Sequence, residues 1–216
     1  MKKKTLTIAI ALVLVVALAV GATYALLTAK TDPVTNTFMA GKITDNDTVF
    51  TLKEHKVTQA ANGTYTLTDE EAKDGVKYDA VVPGTDIDKD PTVSVKGLVA
   101  DAYLFVVVTD STGAGLTATV DTANWTKLGD KGNQTLYAVK ANNGLVKAAD
   151  VKDAALTKTI LTDNQVLVAD NYAPEEGAAA TSITFTAYLI QAAGQDDAVD
   201  AWNTANLVPG LEARGA

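Results

Sequence analysis

Seven consecutive apolar residues, Ala102 to Val108 in the stretch DAYLFVVVTDS, restrict what this chain can fold into more than any other feature. Most are aromatic or β-branched, which favours a strand. Successive strand residues point to opposite faces, so a strand that is apolar on both must be covered on both. It is expected to lie in the centre of a sandwich or beneath a further layer, with Phe105 and Val107 buried.

The rest of the chain also reads as β. DTVFTLK (47–53) and PTVSVKG (91–97) alternate apolar with polar residues. KVTQAANGTYTLTD (56–69) gives two runs joined at Asn62-Gly63, a dipeptide that favours a type I′ hairpin turn. TLYAVK followed by ANNGLVKA suggests a second hairpin around Asn142-Asn143-Gly144. NQVLVADNY (164–172) and TSITFTAYLIQA (181–192) complete the strands. In the last of these, Ile183, Phe185, Ala187 and Leu189 share one face, and Thr184, Thr186, Tyr188 and Ile190 the other. Turn signals recur at short spacing, among them Pro83-Gly84, Thr112-Gly113 and Asp130-Lys131-Gly132. The pattern implies an all-β sandwich or barrel. Helix is expected in a turn or two over 148–158 and in a short amphipathic helix over 196–206, which opens on an Asp and places Ala198, Ala201, Trp202 and Ala205 on one side. Trp125 and Trp202 are expected in the core, and 207–216 (LVPGLEARGA for 207–216) as a loose tail. No repeat or low-complexity linker divides residues 26–216, which are expected to form a single domain.

The N-terminus indicates export. Met1-Lys2-Lys3-Lys4 is a basic opening, Leu6 to Val20 is apolar apart from Thr7, and Gly21 precedes the small residues Ala22-Thr23-Tyr24-Ala25. That order is a secretory signal peptide helix over 1–25, with cleavage expected between Ala25 and Leu26 and Ala29 as a second candidate. A retained membrane anchor is the alternative, since Leu6 to Leu27 is long enough to cross a bilayer as a helix. Loss of three lysines with the signal leaves 15 basic residues against 26 acidic ones, a net charge of −11. Such a surface repels phosphates and disfavours nucleic acid as a partner. There is no cysteine, so an exported chain must rely on its packed core and not on disulfides.

The usual catalytic patterns are missing. His55 is the lone histidine, which rules out a pair of zinc-binding histidines one helical turn apart. No Gly-x-Ser-x-Gly elbow accompanies it, and no glycine-rich loop links a strand to a helix. Asp86, Asp88 and Asp90 are spaced like the opening of a calcium loop, but Pro91 stands where the turn glycine belongs and Gly97 where the bidentate Glu belongs. These three aspartates are weak metal candidates at most, and His55 reads as a surface residue. No catalytic residue and no cofactor is expected.

The segment that follows the signal, GATYALLTAKTDPVTNTFMAGKI (21–43), is half apolar and strand-like where a polar tail would be ordinary. With the Lys-rich start it resembles the opening of the TasA/camelysin family, in which a Thr-rich segment leads into a Val-Thr-Asn-Thr-Phe-x-Ala-Gly-x-Ile strand. Here those positions are Val34, Thr35, Asn36, Thr37, Phe38, Ala40, Gly41 and Ile43. Pro83-Gly84 with the strands after it, and ITFTAYLIQAAGQDDAVDAWNTA near the end, are similar to further stretches of that family. The region 112–180 is weakly matched. The resemblance implies a jelly-roll-like β-sandwich, processing by a SipW-type signal peptidase, and a place in biofilm matrix fibres or on the cell surface beside other matrix proteins. Some members are classed as surface metalloproteases, a role this chain's missing ligands do not support.

An extended strip can complete a neighbour's sheet by strand addition, and head-to-tail contacts of that kind build fibres. Residues 26–43 are the candidate donor strand, with Val34, Asn36, Phe38, Ala40 and Ile43 as its assembly residues. The plain alternative is that 34–43 is the first strand of its own sandwich. The expected function is thus a secreted structural subunit of an extracellular homo-oligomeric fibre. A camelysin-like surface metalloprotease and a surface carbohydrate- or protein-binding module are the alternatives.

Overall fold

The computed structural model describes residues 28–30, 43–72, 75–113, 115–173 and 181–215, with backbone alone for 28–30. The signal peptide, its Ala25–Leu26 cleavage point, and Val34, Asn36, Phe38 and Ala40 lie outside the described residues.

The apolar run becomes β7 (Ala102–Asp110), and it is central. It pairs along nine residues with β14 (Ile183–Gln191) on one side. On its other side lie β10 (Gln134–Val139) and β11 (Leu145–Val146). β9 (Trp125–Lys131) follows β10, and β1 (Thr28–Lys30) lies outside β14. All pairings in this sheet are antiparallel.

The opposing layer is bent. One part holds β12 (Leu156–Thr159), β6 (Thr92–Lys96) and β2 (Val49–Lys53). The other holds β3 (His55–Gln59), β4 (Tyr65–Glu71), β5 (Ile87–Asp88), β13 (Leu161–Val168) and β8 (Leu116–Val120). Three strands run through both parts: Glu54 joins β2 to β3, Lys89 to Pro91 join β5 to β6, and Ile160 joins β12 to β13. In the second part β4 wedges between β3 and β5, so the ladder that pairs β2 with β6 splits into a fork.

Two cores explain why β7 is apolar on both faces. Leu104, Val106 and Val108 pack with Phe185, Ala187 and Leu189 against Phe50, Leu52, Val93, Val95, Val166 and Val168 of the bent layer. Phe105 and Val107 face the other way, with Tyr188 and Ile190, toward helix α1 (Ala198–Ala205). The helix is capped by the Asp197 carboxylate, which accepts from Asp200 N–H at 2.8 Å, and it buries Ala198, Ala201 and Trp202. Trp125 and Trp202 are both buried, and the two faces of β14 divide as its alternation predicts.

Several expectations are corrected. β10 and β11 do not form a hairpin: both pair with β7, and a 3₁₀ turn with Asn142 and Asn143 in left-handed conformation carries the chain from one to the other. The Asn62-Gly63 hairpin exists, but Gly63 alone in its loop has positive φ, so the turn is not type I′. Residues 148–154 form turns and bends with no helix, and 156–159 is strand. The 207–215 segment is not loose: Leu211 and Ala213 are buried, and Trp202 Nε1 donates to the Leu211 carbonyl at 2.7 Å. Ile43 is fully buried in the main core and its carbonyl accepts from Val99 N–H at 3.2 Å, so it is a fixed residue of its own subunit and not part of a free strip.

Candidate functional site: the fork and the edge of the last strand

At the fork, backbone groups that leave one ladder must find partners elsewhere. His55 N–H donates to Asp90 Oδ1 at 2.8 Å, and the His55 imidazole Nδ1 lies 2.6 Å from Asp90 Oδ2. One carboxylate thus replaces the lost ladder bond and also binds the ring. Lys89 N–H donates to the Asn164 carbonyl at 2.7 Å. That carbonyl is presented by a bulge in β13, where Asp163 and Asn164 are both left-handed and the register against β8 jumps between Leu161 and Val166.

Beside this junction, Lys89 Nζ pairs with Glu54 Oε2 at 2.6 Å, with the side chains only 9% and 15% exposed. The ammonium also lies 5.7 Å from the Phe185 ring centroid and 5.8 Å from that of Tyr78. Burial raises the Tyr78 hydroxyl well above its ordinary pKa, with help from the charges of Glu54, Asp90 and Asp88. Its hydroxyl donates to the Asp88 carbonyl at 3.1 Å.

A cleft of about 270 Å³ opens over this ion pair. Its floor includes Leu52, Glu54, Lys89 and Pro91, and its other wall is the start of β14, Ile183 to Phe185. The edge of β14 therefore runs from β1, paired in register at Tyr188 to Ile190, toward a cleft carrying the most buried ion pair among the described residues.

The three aspartates singled out as metal candidates do not converge. Asp86 is exposed before β5, Asp88 is half-buried on β5, and Asp90 is buried and committed to His55. Among the described residues, no group of three or more His, Cys, Asp or Glu side chains could hold a metal ion. His55 is 44% exposed at its side chain, in keeping with a surface residue, but its pairing with Asp90 was not expected. Glu54 and Lys89 were also missed. The one signal for them is that strict alternation breaks at Lys89-Asp90-Pro91, between two strand-like runs.

The hydrogen bond that the His55 ring donates to Asp90 raises the His55 pKa above its ordinary 6.5; burial opposes this, and the charges of Asp90, Glu71 and Asp69 add to it. The folded state thus holds this proton more tightly than the unfolded state. The stabilisation is complete below about pH 6.5 and is lost as pH rises through the higher folded value. Because the ring is largely solvated, its size is that of an exposed pair, about 0.2–1 kcal/mol. In thermal unfolding at pH 5.5 and pH 8.5, the stability difference between wild type and His55→Gln should shrink at the higher pH. A constant difference would mean that the ring is not charged in the pair.

No helix among the described residues is long and apolar enough to cross a membrane. No family model, curated protein or solved structure matches this chain.

Proposed function

We propose that the protein is a secreted, non-enzymatic structural subunit of extracellular matrix fibres. In this reading it is a jelly-roll-like sandwich, released by signal peptidase between Ala25 and Leu26. It assembles when the strip from one copy adds to a sheet of the next, beside other matrix proteins. The observation that carries this reading is β1. Within the strip that follows the signal, Thr28 to Lys30 is a strand, and it pairs antiparallel with the outer side of β14. β14 is paired with β7 along nine residues, and among the described residues β1 pairs with three of them. A segment that pairs with this edge in its own subunit has the chemistry to pair with the same edge of a neighbour. The cleft at Ile183 to Phe185 lies farther along the strand, in the direction an added strand would run. Burial of Ile43 sets the far limit of the exchangeable strip.

The test is assembly of purified chains followed by electron microscopy. A chain beginning at Leu26 should form fibres, and a precursor that retains residues 1–25 should remain monomeric. Thr37→Pro removes one ladder donor and restricts Asn36, and should slow assembly roughly tenfold or more, the equivalent of one lost hydrogen bond. If a chain lacking residues 26–37 still forms the same fibres, strand addition by this strip is wrong. If Thr37→Pro unfolds the subunit, the strip is an ordinary internal strand.

A further inference from the structure

We propose that residues 207–215 guard the free edge of β9, and that this edge, once bared, pairs antiparallel with β9 of a second copy of the chain. β9 ends the first sheet on the side away from β14, so its outer backbone groups are a template for strand pairing. The segment after α1 lies along that edge. The Pro209 carbonyl accepts from Lys131 Nζ at 2.8 Å, and Arg214 N–H donates to the Leu128 carbonyl at 2.7 Å. The segment therefore runs against the direction of β9. Leu211 and Ala213 point inward, whereas Glu212 and Arg214 are exposed, the alternation of a strand.

Two features of β9 fit it to this cover. Leu136 is opposite Gly129 and Tyr137 is opposite Lys127, so Leu128 is an extra, bulged residue whose carbonyl serves the added segment. Gly129, within the strand and without a positive φ, has no side chain; a Cβ there would collide with the Glu212 carbonyl oxygen. A glycine inside a strand is otherwise unfavourable, and here it admits the Glu212 carbonyl of this segment. From the other side Asn203 grips Ala213 twice, Oδ1 accepting from its N–H at 2.9 Å and Nδ2 donating to its carbonyl at 3.0 Å.

The second copy is the occupant that the charges favour. Two β9 strands paired antiparallel about Leu128 and Gly129 set Lys127 of each copy opposite Asp130 of the other. These residues already form an ion pair within one chain at 2.7 Å, and the symmetric pairing lets the copies exchange it.

Gly129→Ala is the direct test, because alanine suits the strand but expels the segment. It is made in the chain from Leu26 carrying Thr37→Pro, so that association through the N-terminal strip is suppressed equally with and without the substitution. Tryptic cleavage after Arg214 reports whether the segment has left the edge, and sedimentation equilibrium reports mass. The expected result is cleavage faster by about tenfold or more, as for a segment released from local structure, together with a dimer that the parent lacks. Adding Asp130→Lys should return the dimer to monomer. Faster cleavage with no change in mass overturns the proposal. So does unchanged cleavage, or a polydisperse aggregate indifferent to Asp130→Lys. Should Gly129→Ala fail to fold, Asn203→Ala loosens the segment without touching β9 and is read by the same outcomes.

Discussion

Replacing Phe105 with Ala should lower the unfolding free energy by about 3–5 kcal/mol, near the top of the range for a single core truncation. Phe105 is fully buried on the face of β7 turned toward α1. Its ring centroid lies 5.2 Å from that of Trp202, which also meets Tyr188 edge-on at 5.3 Å. Strand and helix both hold the walls of the resulting cavity, so collapse around it is limited. The loss also bears on the guarded edge of β9, because Trp202 holds the Leu211 carbonyl. Equilibrium urea unfolding measures the cost, and Phe105→Leu should recover most of it. A cost below about 1 kcal/mol would show that the helix face of the sheet is loosely covered and that the second core adds little.

What could be read from the sequence follows from what each signal reports. β7 and β14 were legible because their side chains face two cores, and apolar character on both faces has no other solution in a chain of this kind. The helix was legible because Asp197 precedes a run that places Ala198, Ala201 and Trp202 on one side, and both the cap and the stripe are local. The 207–215 segment was misread because Pro209 and Gly210 mark a turn and hide the two buried residues that follow. The β10–β11 connection was misread because Asn-Asn-Gly marks positive φ without saying which strand the chain rejoins. Ile43 was assigned to the strip as the last position of the motif that begins at Val34, and its apolar side chain lies in the core. The fork was invisible for a different reason. Glu54, Lys89 and Asp90 are charged, charge reads as solvation, and three alternating aspartates suggested a shared cation. Only the wedging of β4, a contact distant in sequence, turns Asp90 toward His55 and closes Glu54 onto Lys89.

That ion pair sets the other large effect. Removing one partner, as in Glu54→Gln, should cost about 3–5 kcal/mol, because it leaves the Lys89 ammonium beside two aromatic rings with no countercharge. Replacing both, Glu54→Leu with Lys89→Met, should be close to neutral or stabilising by up to about 4 kcal/mol. The pair's attraction in the interior does little more than offset the loss of hydration of two charges, and apolar side chains of similar size carry no such cost. Unfolding of both single variants and the double variant gives the coupling energy directly. If Glu54→Gln costs less than about 1 kcal/mol, water reaches the ammonium and the cleft behaves as open surface. If instead the double variant is as unstable as the single ones, the charges are needed to shape the fork itself. Asp90 would then not suffice to hold the start of β3 against the junction of β5 and β6, and the wall that Glu54 and Lys89 share with the start of β14 would depend on the ion pair.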